Sequence, residues 1–202
     1  MSRWTAWLSA VALLAGAWLV AWITPDGDGG YREPFAVPAT IGEPAVARNL
    51  GVTIRDLALA DRVQSGGWGA DGTWLVVTLD AWVVQNETEA QIREAFLTVG
   101  GRTFRASERP GNYSESASLF RTGLSLDLPR SGAIAFELPD DAVTGRSAET
   151  AMLQLAFGNG AVSEQSAHAL LLTDAVIELP VNLDTIPRID VMELPATEWA
   201  AR

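Results

Sequence analysis

Few residues of this sequence have the type and spacing that catalysis requires. The single histidine, His168, could act as a general base, but a base needs a nucleophile and an orienting acid, and the sequence has no nucleophile motif such as G-x-S-x-G. Asp140 and Asp141 could perform glycosidic or metal chemistry. They follow Pro139 at the end of a predicted strand, however, where a solvated turn is their ordinary role. We therefore predict that the protein is not an enzyme.

A second acidic pattern, Asp26-Gly-Asp28-Gly-Gly30, is similar to the start of a calcium-binding loop. Such a loop places oxygen ligands at regular positions and ends in a bidentate Glu at its twelfth position. Here the third ligand position holds Gly30 and the twelfth holds Val37, so the number of ligands is too low. The sequence also has no cysteine, which excludes disulfides, thiolate metal sites and a lipid-modified N-terminal cysteine. We predict neither a metal nor a cofactor.

The overall charge argues against nucleic acid as a partner. The chain has 202 residues, with 25 Asp and Glu, 14 Arg and no Lys, and its formal net charge is −11. Nucleic-acid phosphates need a basic surface, which this composition does not provide. A chain of this length has room for one domain of ordinary size with attached segments. We expect an acidic domain outside the cytoplasm.

An uncharged segment near the N-terminus predicts a transmembrane helix over residues 4–23. The segment from Trp4 to Ile23 reads WTAWLSAVALLAGAWLVAWI. A helix of about 20 residues is about 30 Å long, the hydrocarbon thickness of a bilayer, so we expect the lipid bilayer as a partner. Arg3 precedes the segment and Asp26 follows it, which predicts a cytoplasmic N-terminus with the remainder outside. A cleaved signal peptide is the alternative, although the run is long and lacks a small-residue cleavage site.

The rest of the chain divides into three further parts. Residues 24–47 are rich in Pro and Gly and predict a linker. Residues 48–180 carry the patterns of a β-domain. Residues 181–202 include Pro187 and Pro195, which argue against a continuous helix and a central strand, so this part is predicted to be an extended tail.

Alternating apolar residues predict that the 48–180 domain consists of strands. Within Trp74–Val84 every odd-numbered position is apolar, which is typical of a strand with one face in a core. Ala95–Val99 is predicted to form a hairpin with Thr103–Arg105 through two glycines. A second predicted hairpin joins Leu124–Leu128 to Ile134–Leu138 across a turn at 129–132. With further strands at 52–59, 152–157 and 170–179, the expected fold is an all-β, antiparallel β-sandwich of about seven or eight strands.

Four segments carry a family resemblance. They are VTI at 52–54, WLVVTLDAWVVQNE at 74–87, FLTVGGRTFRAS at 96–107, and LPRSGAIAFELPDDA at 128–142. In this order they resemble the telokin-like, immunoglobulin-type domain of bacterial surface proteins, over roughly Asn49 to Leu179. The resemblance implies an immunoglobulin-like sandwich and no particular activity. Many members are lipoproteins with an N-terminal Cys, and this chain departs from them by having a helix there.

Four apolar residues are the predicted contacts with a protein partner. Trp68 lies in a glycine-rich loop and Tyr113 in a long polar connection, and loops at the ends of a sandwich commonly carry binding residues. Ile189 and Trp199 lie in the tail, which has more apolar side chains than a disordered tail would favour. The tail either adds an edge strand to the sandwich or docks onto a partner by strand addition.

Two functions fit these features. The first is a membrane-anchored, extracytoplasmic module that binds another protein, for example as an accessory subunit of a transporter or cell-envelope complex. The alternative is an extracytoplasmic ligand-binding protein or enzyme whose site is assembled from loops. A pocket lined by polar groups with shifted pKa values would favour the alternative.

Overall fold

A computed structural model describes residues 3–23, 34–85, 90–157 and 173–200 of the chain. The chain forms two units, Met1–Glu33 and Pro34–Arg202. The first unit contains helix α1, Arg3–Ile23, whose Ala and Leu residues favour helix formation. Among the described residues, no helix combines the length and the hydropathy that crossing a membrane requires. The structure therefore does not support the predicted transmembrane span.

The second unit is a β-sandwich of two sheets. The strands are β1 (Phe35–Pro38), β2 (Pro44–Ala47), β3 (Leu50–Ser65), β4 (Trp68–Val83), β5 (Ile92–Val99), β6 (Arg102–Arg105), β7 (Arg130–Leu138), β8 (Ala151–Phe157), β9 (Ala175–Val181), β10 (Arg188–Ile189), β11 (Met192–Glu193) and β12 (Glu198–Trp199). One sheet has five strands in the spatial order β1-β9-β8-β5-β6. The other has seven strands: five lie in the spatial order β10-β3-β4-β7-β12, and β2 and β11 also pair with β3.

The main core lies between the two sheets and follows the alternation in the sequence. Strand β4 is central, with β3 on one side and β7 on the other. Its residues Leu75, Val77 and Leu79 are fully buried in this core, as the alternation predicts. The opposite face of β4 carries Trp74 and Val76, which are also fully buried. The outer face of the seven-stranded sheet must therefore be covered by other parts of the chain.

The hairpin of β5 and β6 has the predicted two-residue turn. Gly100 and Gly101 have φ angles of 56° and 78°, so both adopt the left-handed conformation that a tight hairpin turn needs. Val99 pairs with Arg102 directly across the turn. Glycine adopts these angles without steric cost, which is why the sequence signal was reliable here.

The second predicted hairpin is wrong. Residues 130–132, which the sequence analysis assigned to a turn, lie inside strand β7. Leu124–Leu128 forms isolated bridges instead of a strand, among them one between Leu126 and Val83. Gly132 is needed for close packing, because a Cβ atom there would lie 2.8 Å from side-chain carbons of both Leu119 and Thr197. A glycine that allows close packing has the same sequence signature as a glycine in a turn.

Two further differences from the predicted fold concern the β3–β4 hairpin and the short strands at both ends of the unit. Strand β3 extends to Ser65 and β4 begins at Trp68, although a glycine-rich loop was predicted there. The described residues contain twelve strands instead of seven or eight. Strands β1 and β2 lie within the predicted linker, and β10 to β12 lie within the predicted tail. The pairs β1–β9, β10–β3 and β11–β3 are parallel, so the sandwich is not purely antiparallel. Strands of two to four residues are too short to show an alternating pattern.

Candidate functional site

The connection between β6 and β7 covers part of the outer face of the seven-stranded sheet. It forms a short helix, α2 (Arg109–Tyr113), and a 3₁₀ turn, Glu115–Ala117. Pro110 lies in the first turn of α2, where its missing N–H costs nothing. Ala117 and the outer-face residue Trp74 belong to the same buried cluster. The sequence predicts a polar loop for this segment. The segment is helical because it packs against the sheet.

Three aromatic residues form a cluster that we call the aromatic surface: Trp68, Trp74 and Tyr113. The rings of Trp68 and Tyr113 are stacked, with centroids 5.5 Å apart and planes inclined by 14°. The buried Trp74 meets Trp68 edge to face at 6.5 Å. The guanidinium of Arg109 lies 5.9 Å from the Trp68 ring centroid and 5.7 Å from that of Trp74. Arg109 also pairs with Glu137 at 2.9 Å. These contacts fix α2 against the sheet and leave Tyr113 69% exposed.

The same connection also forms part of the wall of a cavity of about 470 Å³. We call it the connection cavity. Most of its walls are polar, and they carry charges of both signs. Its wall includes the charged residues Glu108, Glu115, Arg121 and Arg130, together with Asn112 and Phe120.

Alternating charges connect the buried Glu94 carboxylate of β5 to this cavity. The Arg105 guanidinium lies 4.0 Å from the Glu94 carboxylate and 3.5 Å from Glu108, and Glu108 pairs with Arg121 at 3.1 Å. The Phe120 ring lies beside both arginines, 5.3 Å from Arg105 and 5.7 Å from Arg121. Cation–π contacts of this kind hold guanidinium groups in place. The network therefore positions the Arg121 side chain at the cavity wall.

Glu94 is the innermost member of the network. It is 5% exposed, and its Oε2 atom is buried without a hydrogen-bond partner among the described residues. Burial raises the pKa of the Glu94 carboxyl above its usual value, and the charges of Arg105, Arg121 and Arg93 oppose that rise. Glu94 adjoins an irregularity in the pairing of β5 with β8, between Ile92 and Glu94.

Arg130 is held at the cavity wall by uncharged partners. Its Nη1 donates to the Gly123 carbonyl at 3.0 Å and its Nη2 to the Thr197 hydroxyl at 2.9 Å. Its guanidinium lies 4.7 Å from the centroid of the Trp199 ring. Within residues 34–85, 90–157 and 173–200, no carboxylate forms an ion pair with it.

The structure brings together some of the four predicted contact residues. Trp68 and Tyr113 touch, although Trp68 lies in β4 and is half-buried instead of lying in a loop. Trp199 lies in β12, beside Arg130 of β7. Ile189 lies in β10, paired with Ala60, and is not part of the cavity wall. Their role in partner binding stays a prediction.

The residues considered for catalysis and metal binding do not form a site in the described parts of the chain. Asp140 accepts a hydrogen bond from Thr73, and Asp141 pairs with Arg102 at 2.9 Å, so each carboxylate has a structural partner of its own. His168 and the segment 26–30 lie outside the described residues. The described residues contain no group of three or more His, Cys, Asp or Glu placed to hold a metal ion.

The charged residues of the network and the cavity were not predicted from the sequence. One signal was present: Glu94 is an isolated acid inside the apolar strand IREAFLTV. A carboxylate in such a strand is buried only when it has compensating partners, and an arginine-rich neighbourhood would have been the next feature to look for. Arg130 gave no signal, because its partners Gly123, Thr197 and Trp199 become neighbours only through the fold.

Comparisons with known proteins give no family. No protein-family model and no curated protein matches the chain. The chain is similar to an uncharacterized β-sandwich protein from Clostridium difficile 630, with 11% identity over 73% of this chain and 95% of that chain and a TM-score of 0.44. It is also similar to a protein from Staphylococcus aureus named as a "putative lipoprotein", with 8% identity, coverage of 77% and 99%, and a TM-score of 0.46. Both TM-scores are too low to support an argument, so the telokin-like resemblance stays a prediction.

Proposed function

We propose that this protein is a non-catalytic β-sandwich module outside the cytoplasm that binds another protein through the aromatic surface. Its N-terminal helix, which is rich in Trp and has no charged residue after Arg3, supports a further part of the proposal, association with a lipid bilayer. An accessory subunit of a transporter or cell-envelope complex would have these properties.

One observation carries the proposed interface, namely the exposed position of a rigidly held tyrosine. Tyr113 stacks on Trp68 with one ring face and is 69% exposed. Trp, Tyr and Arg are the residue types enriched where protein interfaces gain most of their binding energy, and Arg109 adds the third type here. Because the cluster is fixed to the sheet, little side-chain entropy is lost when a partner covers it.

A single introduced thiol tests location and interface together. The sequence has no cysteine, so Ser114→Cys, directly after Tyr113, carries a unique reactive group and leaves the three aromatic residues in place. The matched control is Val46→Cys, at an exposed position of β2 in the same unit. Each variant is labelled with a membrane-impermeant maleimide, first in intact spheroplasts of the source organism and then as purified full-length protein.

We expect the thiol at position 46 to react in spheroplasts, because the domain lies outside the membrane. The thiol at position 114 should react about tenfold more slowly in spheroplasts than in the purified protein, because a partner that binds Tyr113 also covers its neighbour. If neither thiol reacts in spheroplasts, the proposed location is wrong. Equal ratios of the two rates in spheroplasts and in the purified protein would instead rule out the interface.

A further inference from the structure

The connection cavity contains a positive charge that the described residues do not neutralise. Arg121 is paired with Glu108 at 3.1 Å, whereas Arg130 donates to the Gly123 carbonyl and the Thr197 hydroxyl, which are both uncharged. A guanidinium has five N–H groups, so each Nη nitrogen of Arg130 keeps a second one after these two bonds. Since Arg130 is part of the cavity wall, an anionic ligand that enters the cavity can pair with its guanidinium.

Arg130 is also fixed before any ligand arrives. The ring of Trp199 lies 4.7 Å from its guanidinium, and the two hydrogen bonds hold both Nη nitrogens. A planar guanidinium held in this way matches the two oxygens of a carboxylate or the oxygens of a phosphate. Preorganised groups of this kind lose little conformational freedom on binding.

The other charged residues of the cavity wall determine whether a carboxylate or a phosphate binds better. Glu108 and Glu115 also line the cavity, so an entering dianion meets two carboxylates as well as the arginines. The four wall charges sum to zero, so a second negative charge on the ligand gains as much repulsion as attraction, while its cost of leaving water rises steeply. A group with a single negative charge is therefore favoured. The cavity volume of about 470 Å³ fits a small organic molecule and greatly exceeds what a bare ion fills.

We propose that the connection cavity binds a small monocarboxylate, with its carboxylate group on Arg130 and its body against Phe120 and Asn112. Phe120 provides an apolar wall, and Asn112 can both donate and accept a hydrogen bond. The tail thereby acquires a role in binding, because Thr197 and Trp199 orient the arginine. The site does not depend on the protein partner proposed for the aromatic surface.

The test uses matched ligands and the full-length chain. Lactate, hexanoate and N-acetylalanine are each titrated against the chain by saturation-transfer NMR, and each is compared with its own primary amide, which has nearly the same shape without the charge. Inorganic phosphate, titrated at a pH above its second pKa so that the dianion predominates, is the dianion probe. The variant is Arg130→Gln, and the control is Arg102→Gln, an exposed arginine paired with Asp141 that does not line the cavity.

We expect at least one carboxylate to bind saturably and its amide to bind about tenfold more weakly, as expected for losing one charge-assisted contact. Arg130→Gln should weaken the binding of the carboxylate by a similar factor, and Arg102→Gln should leave its affinity unchanged. The proposal is overturned if no carboxylate saturates, if phosphate binds more tightly than every carboxylate, or if Arg130→Gln binds like the natural chain. If Arg130→Gln does not fold, the difference in affinity between the carboxylate and its amide for the natural chain tests the proposal by itself.

Discussion

Glu94 shows how a single carboxylate can make the stability of this domain depend on pH. Its pKa lies above the usual value of 4.5 because burial disfavours the charged form, and three arginines only oppose this effect. The folded chain therefore holds the Glu94 proton more tightly than the unfolded chain does. The stability that this proton contributes is fully present below pH 4.5 and is lost as the pH rises through the folded-state pKa.

Glu94→Gln removes this titration, because glutamine stays neutral. We expect the unfolding free energy of the natural chain, relative to the variant, to fall as the pH rises from 4.5 towards neutrality. Urea denaturation at a series of pH values measures the difference, with Glu149→Gln as the control that removes an exposed carboxylate. A difference that stays constant or grows with pH would show that burial does not dominate at Glu94.

At the scale of single elements, β7 depends on the absence of a side chain at one position. Gly132→Ala should lower the unfolding free energy by about 1–3 kcal/mol, the usual cost of overpacking a close contact. The reason is that the new Cβ would lie 2.8 Å from both Leu119 and Thr197. Gly67→Ala is the matched control, since its Cβ would meet nothing within 4 Å. Equal thermal unfolding midpoints for the two variants would mean that the close approach at Gly132 relaxes without cost.

The regularly alternating parts of the long strands were predictable from the sequence, whereas the end of β3, the start of β4 and the short strands were not. The apolar alternation in β4 correctly assigned Leu75 and Val77 to the main core, and the two glycines after Val99 correctly gave the β5–β6 turn. Alternation is a strong signal only when several side chains repeat it. Helix α2 has five residues, and its stability comes from contacts of Arg109 with tryptophans on β4, so no local pattern could have predicted it.

The same limit applies to the candidate site. The pairing of Trp68 with Tyr113 and of Arg130 with Thr197 joins residues that are far apart in the sequence and have no shared motif. Sequence reasoning identified Trp68 and Tyr113 as residue types suited to binding. It could not predict that they touch, because that contact depends on how the connection after β6 folds back over the sheet.

For the molecule as a whole, the tail is a structural part of the sandwich. Strands β10 and β11 pair with β3, and β12 pairs with β7. Leu194 is 3% exposed within the outer-face cluster.

Deleting residues 184–202 should therefore lower the thermal unfolding midpoint of the full-length chain by several degrees, since it removes a buried leucine and edge pairing. Val191→Ala, at an exposed position of the tail, is the control. An unchanged midpoint after the deletion would show that the tail adds nothing to stability.

The pairing of the tail with β3 also determines when the sheet can be completed during synthesis. Arg188 bonds to Asp61 across 127 positions of the chain, and Leu59 donates its N–H to the Pro187 carbonyl. Strand β3 leaves the ribosome before its neighbours β10 and β11 have been made. Contacts between such distant segments form late and slowly. The second half of β3 therefore keeps one unpaired edge until β10 and β11 have been synthesised, and during that time this edge is open to pairing with another chain.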